Sequence, residues 1–298
     1  MNAEDNGLLC YKQIEIDSQG KLKFFLEKHS TKEGTWGKLF LQQGEIDFVF
    51  LNGQGEERSR VRLDQKYPQL LVPPASWHKI IPVSKVFKAN LEFYCVSTRY
   101  FNKKYGVGAV HGDVVYAYQT YLRHLRDLTI LDVGCGSGRN LLYLAKMGHR
   151  VTGIDEYQPA LDRIHDIVQQ EALVGVNTVL HNLNQPLPLE LVQYDLVLAT
   201  VSLQFLNASR IPSLLAELQE ITKKNGYHFL VFPVQSEHYE FPDFFTYLPQ
   251  QEELYHVYQD SGWSILEYKE TVGHLHKKDE SGRQIPGLFG FLLAQKTA

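Results

Sequence analysis

Three glycines alternate in 134-GCGSG-138, and an aspartate, Asp155, stands seventeen residues beyond the last of them. Glycine is the residue for backbone with positive φ and for a chain that must lie close against a ligand, because it has no Cβ. The apolar residues before it, Leu128, Ile130, Leu131 and Val133, describe a buried strand. Those after it, Leu141, Leu142, Leu144 and Ala145, describe the inner face of a helix, so the glycines occupy a strand-to-helix turn. Asp155 closes the next apolar run, 150-RVTGIDE-156, where a carboxylate can accept hydrogen bonds from both hydroxyls of a ribose. Turn and carboxylate together are the chemistry of a nucleotide-type cofactor site.

The spacing narrows the ligand. A dinucleotide fold carries G-x-G-x-x-G with a pyrophosphate on the helix N-terminus, whereas here the pattern is G-x-G-x-G and Arg139 follows it. That favours S-adenosylmethionine. Asp132, two residues before Gly134, suits the methionine end of that molecule and would repel a diphosphate. Gly134, Gly136, Gly138, Arg139, Asn140, Asp155 and Glu156 are therefore expected at the cofactor. A ligand-free turn is the alternative, and the acidic residue after the second strand argues against it.

The elements that must position these residues fall into two domains, expected at 1–98 and 99–298. The first stretch has short alternating or apolar runs (38-KLFLQ-42, 46-IDFVFL-51, 69-QLLV-72, 91-LEFYCVS-97) between Gly- and Pro-containing turns, which predicts a small antiparallel β-sandwich or barrel. Beyond about 108 helix and strand alternate, the signature of an α/β fold with a mainly parallel sheet covered on both faces. Helices are expected near 111–126, 157–172, 210–224 and 249–260, the third ending at Asn225-Gly226. Strands are expected near 176–181, 194–201, 227–232, 263–270 and 288–295. Two strands after the fifth fit a Rossmann-like seven-stranded methyltransferase sheet, with its last strand inserted antiparallel.

Composition sets limits on partners. Hydrophobic residues at 44% and charged residues at 21% are those of a soluble globular protein. The net charge of −4 offers no general attraction to nucleic acid or to an anionic membrane, so an anionic substrate would need local positive charge. Cys10, Cys95 and Cys135 are scattered, which predicts neither a disulfide framework nor a cysteine zinc site. With no positively charged leader and no long apolar run, a cytoplasmic protein is expected. A homodimer is compatible with all of this.

In order along the chain come YF-x-KKY (100–105), HGDV (111–114), LD-x-GCG-x-GRN (131–140), T-V-x-x-x-FL (200–206) and G-x-LHK-x-D (273–279). As an ordered set these resemble the TehB-type tellurite-resistance methyltransferases, from about Tyr100 to the C-terminus. The first hundred residues resemble, through 29-HSTKEGTWGKL-39 and 76-SWHKI-80, a cupin-like β-domain found ahead of the methyltransferase in some TehB proteins. The resemblance implies methyl transfer from S-adenosylmethionine to tellurite, and to selenite or related small oxyanions, contributing to tellurite resistance.

It also implies site residues. His276, Lys277 and Asp279 would lie in a late loop on the substrate side, with Arg139 binding either the oxyanion or the methionine carboxylate. Tyr105 and His111 precede the first helix of the second domain, in a segment that folds over the cofactor in many enzymes of this class. Asn182, in 181-HNLN-184, stands where many methyltransferases have an acid that accepts from adenine, and Leu183 and Thr200 complete the expected contacts. Many relatives read G-E-L-H-R-x-D in the late segment; here His274 replaces the Glu and Lys277 the Arg, which keeps the cation and loses its bidentate fork. Thr200, Val201 and Phe205 end the fourth strand, where the substrate edge should be; for Phe205 a place in the core is expected ahead of the alternative, a substrate platform. His29, His78 and Glu92 are residue types that suit zinc or iron, but their spacing is no metal motif, and no metal site is assigned. Two alternatives stay open: methylation of an ordinary thiol, amine or hydroxyl, and a non-catalytic sensor that binds S-adenosylmethionine.

Overall fold

The computed structural model describes residues 7–18, 20, 23–188, 193–278 and 281–297, and for 23 and 276–278 the backbone only. The chain divides into two compact units, 1–106 and 107–298. Sequence composition changes at the end of the last strand of the first unit, near residue 98. The following residues, including the buried aromatics Tyr100 and Phe101, group with that unit.

The first unit is built from β1 (Leu8–Asp17), α1 (Lys23–Leu26), β2 (His29–Ser30), β3 (Trp36–Gln43), β4 (Ile46–Leu51), β5 (Glu57–Leu63), β6 (Gln69–Val72), β7 (Trp77–Pro82), β8 (Lys88–Val96) and α2 (Tyr100–Tyr105). The strands form two four-stranded sheets, ordered β1-β8-β3-β6 and β2-β7-β4-β5, with every pairing antiparallel. Leu39 and Leu41 of β3, on alternate positions, face one core with Ile46, Phe48 and Ile80.

The second unit runs α3 (Gly112–Ala117), β9 (Thr129–Val133), α4 (Arg139–Lys146), β10 (Arg150–Asp155), α5 (Gln158–Gln170), β11 (Val176–Leu180), β12 (Tyr194–Thr200), α6 (Ile211–Glu220), β13 (Thr222–Pro233), α7 (Glu253–Asp260), β14 (Ser264–Lys278) and β15 (Gln284–Gln295). The strand order is β11-β10-β9-β12-β13-β15-β14. The first five strands are parallel, and β15 inserts antiparallel between β13 and β14. This is the seven-stranded class I methyltransferase sheet. Its central strands β9 and β12 are almost entirely buried, which is why they read as continuous apolar runs rather than as alternating ones.

Three elements depart from expectation. The helix expected over 210–224 stops at Glu220, because the Thr222 hydroxyl donates to the Leu218 carbonyl (2.7 Å) and the chain turns directly into β13. Asn225, at φ 62°, takes its left-handed turn inside that strand instead of ending the helix. The helix expected over 111–126 is six α-helical residues followed by a π-helical turn, Tyr118–Leu122. The expected late loop is largely strand: β14 continues to Lys278, which pairs with Gln284 of β15. Among the described residues no helix is long and apolar enough to cross a membrane.

Candidate active site

The turn between β9 and α4 holds all three glycines in the left-handed region, at φ 71° for Gly134, 53° for Gly136 and 80° for Gly138. Each does so for a different reason. A Cβ on Gly134 would stand 2.5 Å from the Ser202 Cβ, and one on Gly138 would stand 2.8 Å from Ile164, so these two let neighbouring elements pack. A Cβ on Gly136 would meet no protein atom within 4 Å. Its open side faces the cavity that the turn helps to line.

Asp155 ends β10 across the turn. One carboxylate oxygen accepts the Gly136 N–H (2.8 Å) and the other accepts the Tyr157 N–H (3.0 Å). These bonds fix the plane of the carboxylate and leave acceptor capacity on both oxygens, since each has a second lone pair. Asp132 is the opposite case: only 1% exposed, with neither oxygen hydrogen-bonded among the described residues. Burial pushes its carboxyl up to about 7, against the pull of the Arg139 guanidinium. Burial in turn lowers the Arg139 pKa, a cost that Asp132 offsets.

The cavity has a volume of about 780 Å³. Asn140 organises one wall: its amide donates to the Thr200 hydroxyl (2.7 Å) and accepts the His111 N–H (3.0 Å). One side chain thereby ties the end of β12 and the segment before α3 to the start of α4. His111 caps α3 by accepting the Asp113 N–H on Nδ1 (3.3 Å). Gly108 lies on the Arg139 stem, where a Cβ would come within 3.3 Å. On the far side, Arg210 donates to the Leu183 carbonyl (3.0 Å) and the Gln185 carbonyl (3.0 Å) while paired with Glu217. That clamp fixes the turn that brings His181 and Leu183 to the cavity wall.

Of the residues expected here, Gly134, Gly136, Arg139, Asn140, Asp155, Glu156, His111, Leu183 and Thr200 line the cavity. Gly138 supports the turn from behind, and Asp132 lies buried beneath it. Asn182 is not a lining residue; its side-chain oxygen accepts the Asn184 N–H (2.8 Å) within its own turn. Tyr105 belongs to the first unit, stacked near Phe101 at the end of α2. The side chains of His276 and Lys277, and all of Asp279, lie outside the described residues.

The donor set fits S-adenosylmethionine on observations of this site. The open face of Gly136 allows close approach, Asp155 is oriented to accept from hydroxyls, and Asp132 supplies a buried carboxyl with no hydrogen-bond partner among the described residues. The family described as "Tellurite resistance protein TehB" matches residues 93–293, and the "TehB-like domain" matches residues 19–91. The chain belongs to the TehB family. A TehB relative from Haemophilus influenzae (strain 10810), named a probable S-adenosyl-L-methionine-dependent methyltransferase, is 36% identical over 292 residues, covering 98% of this chain and 99% of the relative. The crystal structure of TehB from Haemophilus influenzae matches with a TM-score of 0.91 at 34% identity, covering 98% of this chain and all of that one. The YcgJ protein of a Bacillus species, 12% identical with a TM-score of 0.50 over 63% of this chain, shares the fold alone.

Within this TehB chain, several wall residues were not expected from sequence. Ser202 donates from its hydroxyl to the Val133 carbonyl (2.7 Å) and fills the space that Gly134 leaves. His181 neighbours the expected Asn182, and a one-residue shift at a strand end is what sequence patterning resolves least. Phe205 is a correction: it is 52% exposed, lines the cavity, and lies parallel to Phe244 with ring centroids 6.2 Å apart. It sits just after Val201, whose φ of 56° swings the chain out of β12, a backbone state the sequence does not announce for a β-branched residue. His274 reaches the cavity because β14 continues as strand.

Proposed function

We propose that this chain, an S-adenosylmethionine-dependent methyltransferase of TehB type, transfers the methyl group to tellurite or a related small oxyanion. Bound S-adenosylmethionine supplies a methyl group on a sulfonium, open to in-line displacement by a lone pair. The tellurium(IV) lone pair can take that methyl without a proton first being removed, so the protein's task is to bind, orient and exclude water rather than to act as a strong base. Asp155 and the Gly136 face would hold the adenosyl portion, and Asp132, buried beneath the turn, would act on the methionine end from behind through its electrostatic coupling to Arg139.

On the substrate side, Arg139 is the one permanently cationic side chain of the described cavity lining, and His274 and His111 stand with it. A guanidinium offers charge-assisted donors to an oxyanion, and an imidazole adds a donor whose charge responds to pH. The observation that carries the reading is this grouping of Arg139, His111 and His274 in the same cavity as the Asp155 and Gly136 cradle. His276, Lys277 and Asp279, close behind His274 in the chain, are proposed as further substrate-side groups, and tellurite resistance as the cellular outcome.

The test is a substrate panel with methyl-labelled S-adenosylmethionine: tellurite, selenite, a small thiol and an amine. Label appearing in methylated tellurium is the expected result. Label moving to the thiol or amine alone would replace the oxyanion reading, and no transfer to any acceptor, with cofactor binding intact, would favour a sensor.

A further inference from the structure

The β unit contains a second large cavity, of about 630 Å³, lined from both of its sheets. That is the size of a small-molecule site. Its walls are apolar, with the rings of Phe24, Phe25, Phe48 and Phe93 among the lining residues. Two histidines sit together in this wall: the His29 and His78 ring centroids are 4.2 Å apart, and Phe48 stacks on His78 at 4.7 Å. Glu92 does not join them; it is held by Gln13 and Tyr94 and is absent from the lining. Among the described residues, no group of three or more His, Cys, Asp and Glu side chains could hold a metal.

The tautomers follow from the partners. The Nδ1 of His29 lies 2.9 Å from the Glu27 carbonyl, and the Nδ1 of His78 lies 2.8 Å from the Ser76 carbonyl. A carbonyl only accepts, so each Nδ1 carries the proton. Burial lowers both ring pKa values, His78 to about 4, so the rings are neutral at pH 7 and each Nε2 presents a lone pair. His78 is 94% buried, being 6% exposed, and no described group hydrogen-bonds to its Nε2. His78 lines the cavity, so this nitrogen is available there to accept a hydrogen bond from a ligand's donor.

The charge of the cavity points the same way. Lys12, Lys32 and Lys103 belong to the lining, which includes no carboxylate, and none of the three lysines has an ion-pair partner among the described residues. Lys12 and Lys32 are exposed. Apolar ring-lined walls, two adjacent acceptor nitrogens and uncompensated positive charge define one ligand chemistry.

We infer that the N-terminal β unit binds a small aromatic carboxylate that carries a hydroxyl or amino donor. Its ring lies among the phenylalanines, its donor meets the paired histidines and its carboxylate meets the lysines. This site is separate from the methyl-transfer cavity and does not depend on what that cavity methylates.

The experiment is calorimetric titration of the full chain with three probes: 4-hydroxybenzoate, benzoate without the donor, and 4-cresol without the carboxylate. 4-Hydroxybenzoate should bind with a Kd below about 1 mM and about fivefold more tightly than either of the others, each lost contact being a hydrogen bond's worth. The exposed-site double variant K12Q/K32Q should weaken both carboxylates about fivefold and leave 4-cresol unchanged, and His78→Phe should reduce 4-hydroxybenzoate to the level of benzoate. The lysine variant carries the test alone if His78→Phe fails to fold. Absence of 4-hydroxybenzoate binding, equal binding of 4-cresol, or indifference to K12Q/K32Q would each overturn the inference.

Discussion

Gly134 and Gly136 adopt similar backbone and serve different ends, and this can be separated by substitution. Alanine at either position carries the left-handed penalty of about 1–2 kcal/mol. At Gly134 the new methyl also collides with Ser202, so Gly134→Ala should unfold at clearly lower urea than Gly136→Ala, whereas Gly136→Ala should lose more S-adenosylhomocysteine affinity than its stability loss explains. Equal losses in both measurements would contradict the division of roles. Asp132 makes a prediction with a definite sign. Its carboxyl is raised from an ordinary 3.8 to about 7, so the folded state holds a proton that the unfolded chain releases. Its contribution to stability therefore falls as pH rises from about 4 to about 7 and levels above that. Urea unfolding from pH 5 to pH 8 should show this fall in the native chain and a shallower one in Asp132→Asn. S-adenosylhomocysteine binding should tighten across the same range in the native chain and stay flat in the variant. At this scale the sequence was informative wherever backbone chemistry dictates residue type: the three glycines and Asp155 could be read from spacing alone. Ser202, His181 and Phe205 could not, because their places depend on how a strand end turns in three dimensions.

The elements most consequential for the site are the β14–β15 hairpin and the α6 clamp. The hairpin carries His274 to the cavity, where a polar, charged run such as HLHKKDESG reads in sequence as loop. Pairing with β15 decides the matter, and pairing partners are not visible in a local window. His274→Ala should lower the tellurite-dependent rate about tenfold, within the range lost with a charge-assisted contact, while S-adenosylhomocysteine affinity stays within about twofold of the native value. An unchanged rate would remove His274 from the substrate side. In the clamp, Arg210 holds the Glu217 carboxyl below the usual carboxylate range, so the stability this pair contributes is present above the ordinary carboxylate pKa and is lost as pH falls through the depressed one. Glu217→Gln leaves a buried guanidinium with a weaker partner, and should cost about 1–3 kcal/mol in urea unfolding and loosen the turn bearing His181 and Leu183. A variant as stable as the native chain would show that the turn is held by other means. The helix boundary before β13 was misread for a related reason: Asn-Gly is a stop signal in general, but the Thr222 hydroxyl ends this helix earlier.

Across the whole molecule, each unit has its own hydrophobic core, one centred on the β sheets and one on the seven-stranded sheet. Ligand binding stabilises the folded unit that contains the site, by about 2.7 kcal/mol at one hundred times Kd. Scanning calorimetry with saturating S-adenosylhomocysteine should therefore raise the transition of residues 107–298 and leave that of residues 1–106 in place; a joint shift would show the two units unfold together. The α/β class and the succession of its strands along the chain were legible because helical and strand periodicities alternate after residue 108. The antiparallel character of the first unit was legible from short runs and turns. The cavity between its two sheets was not, since enclosed volume arises from tertiary packing. The account rests on methyl transfer to an oxyanion, and the most direct measurement is S-adenosylhomocysteine formed by the purified chain with and without tellurite. The account predicts formation that requires tellurite and saturates with it; a chain that binds S-adenosylhomocysteine yet forms none above background when tellurite is added would contradict it.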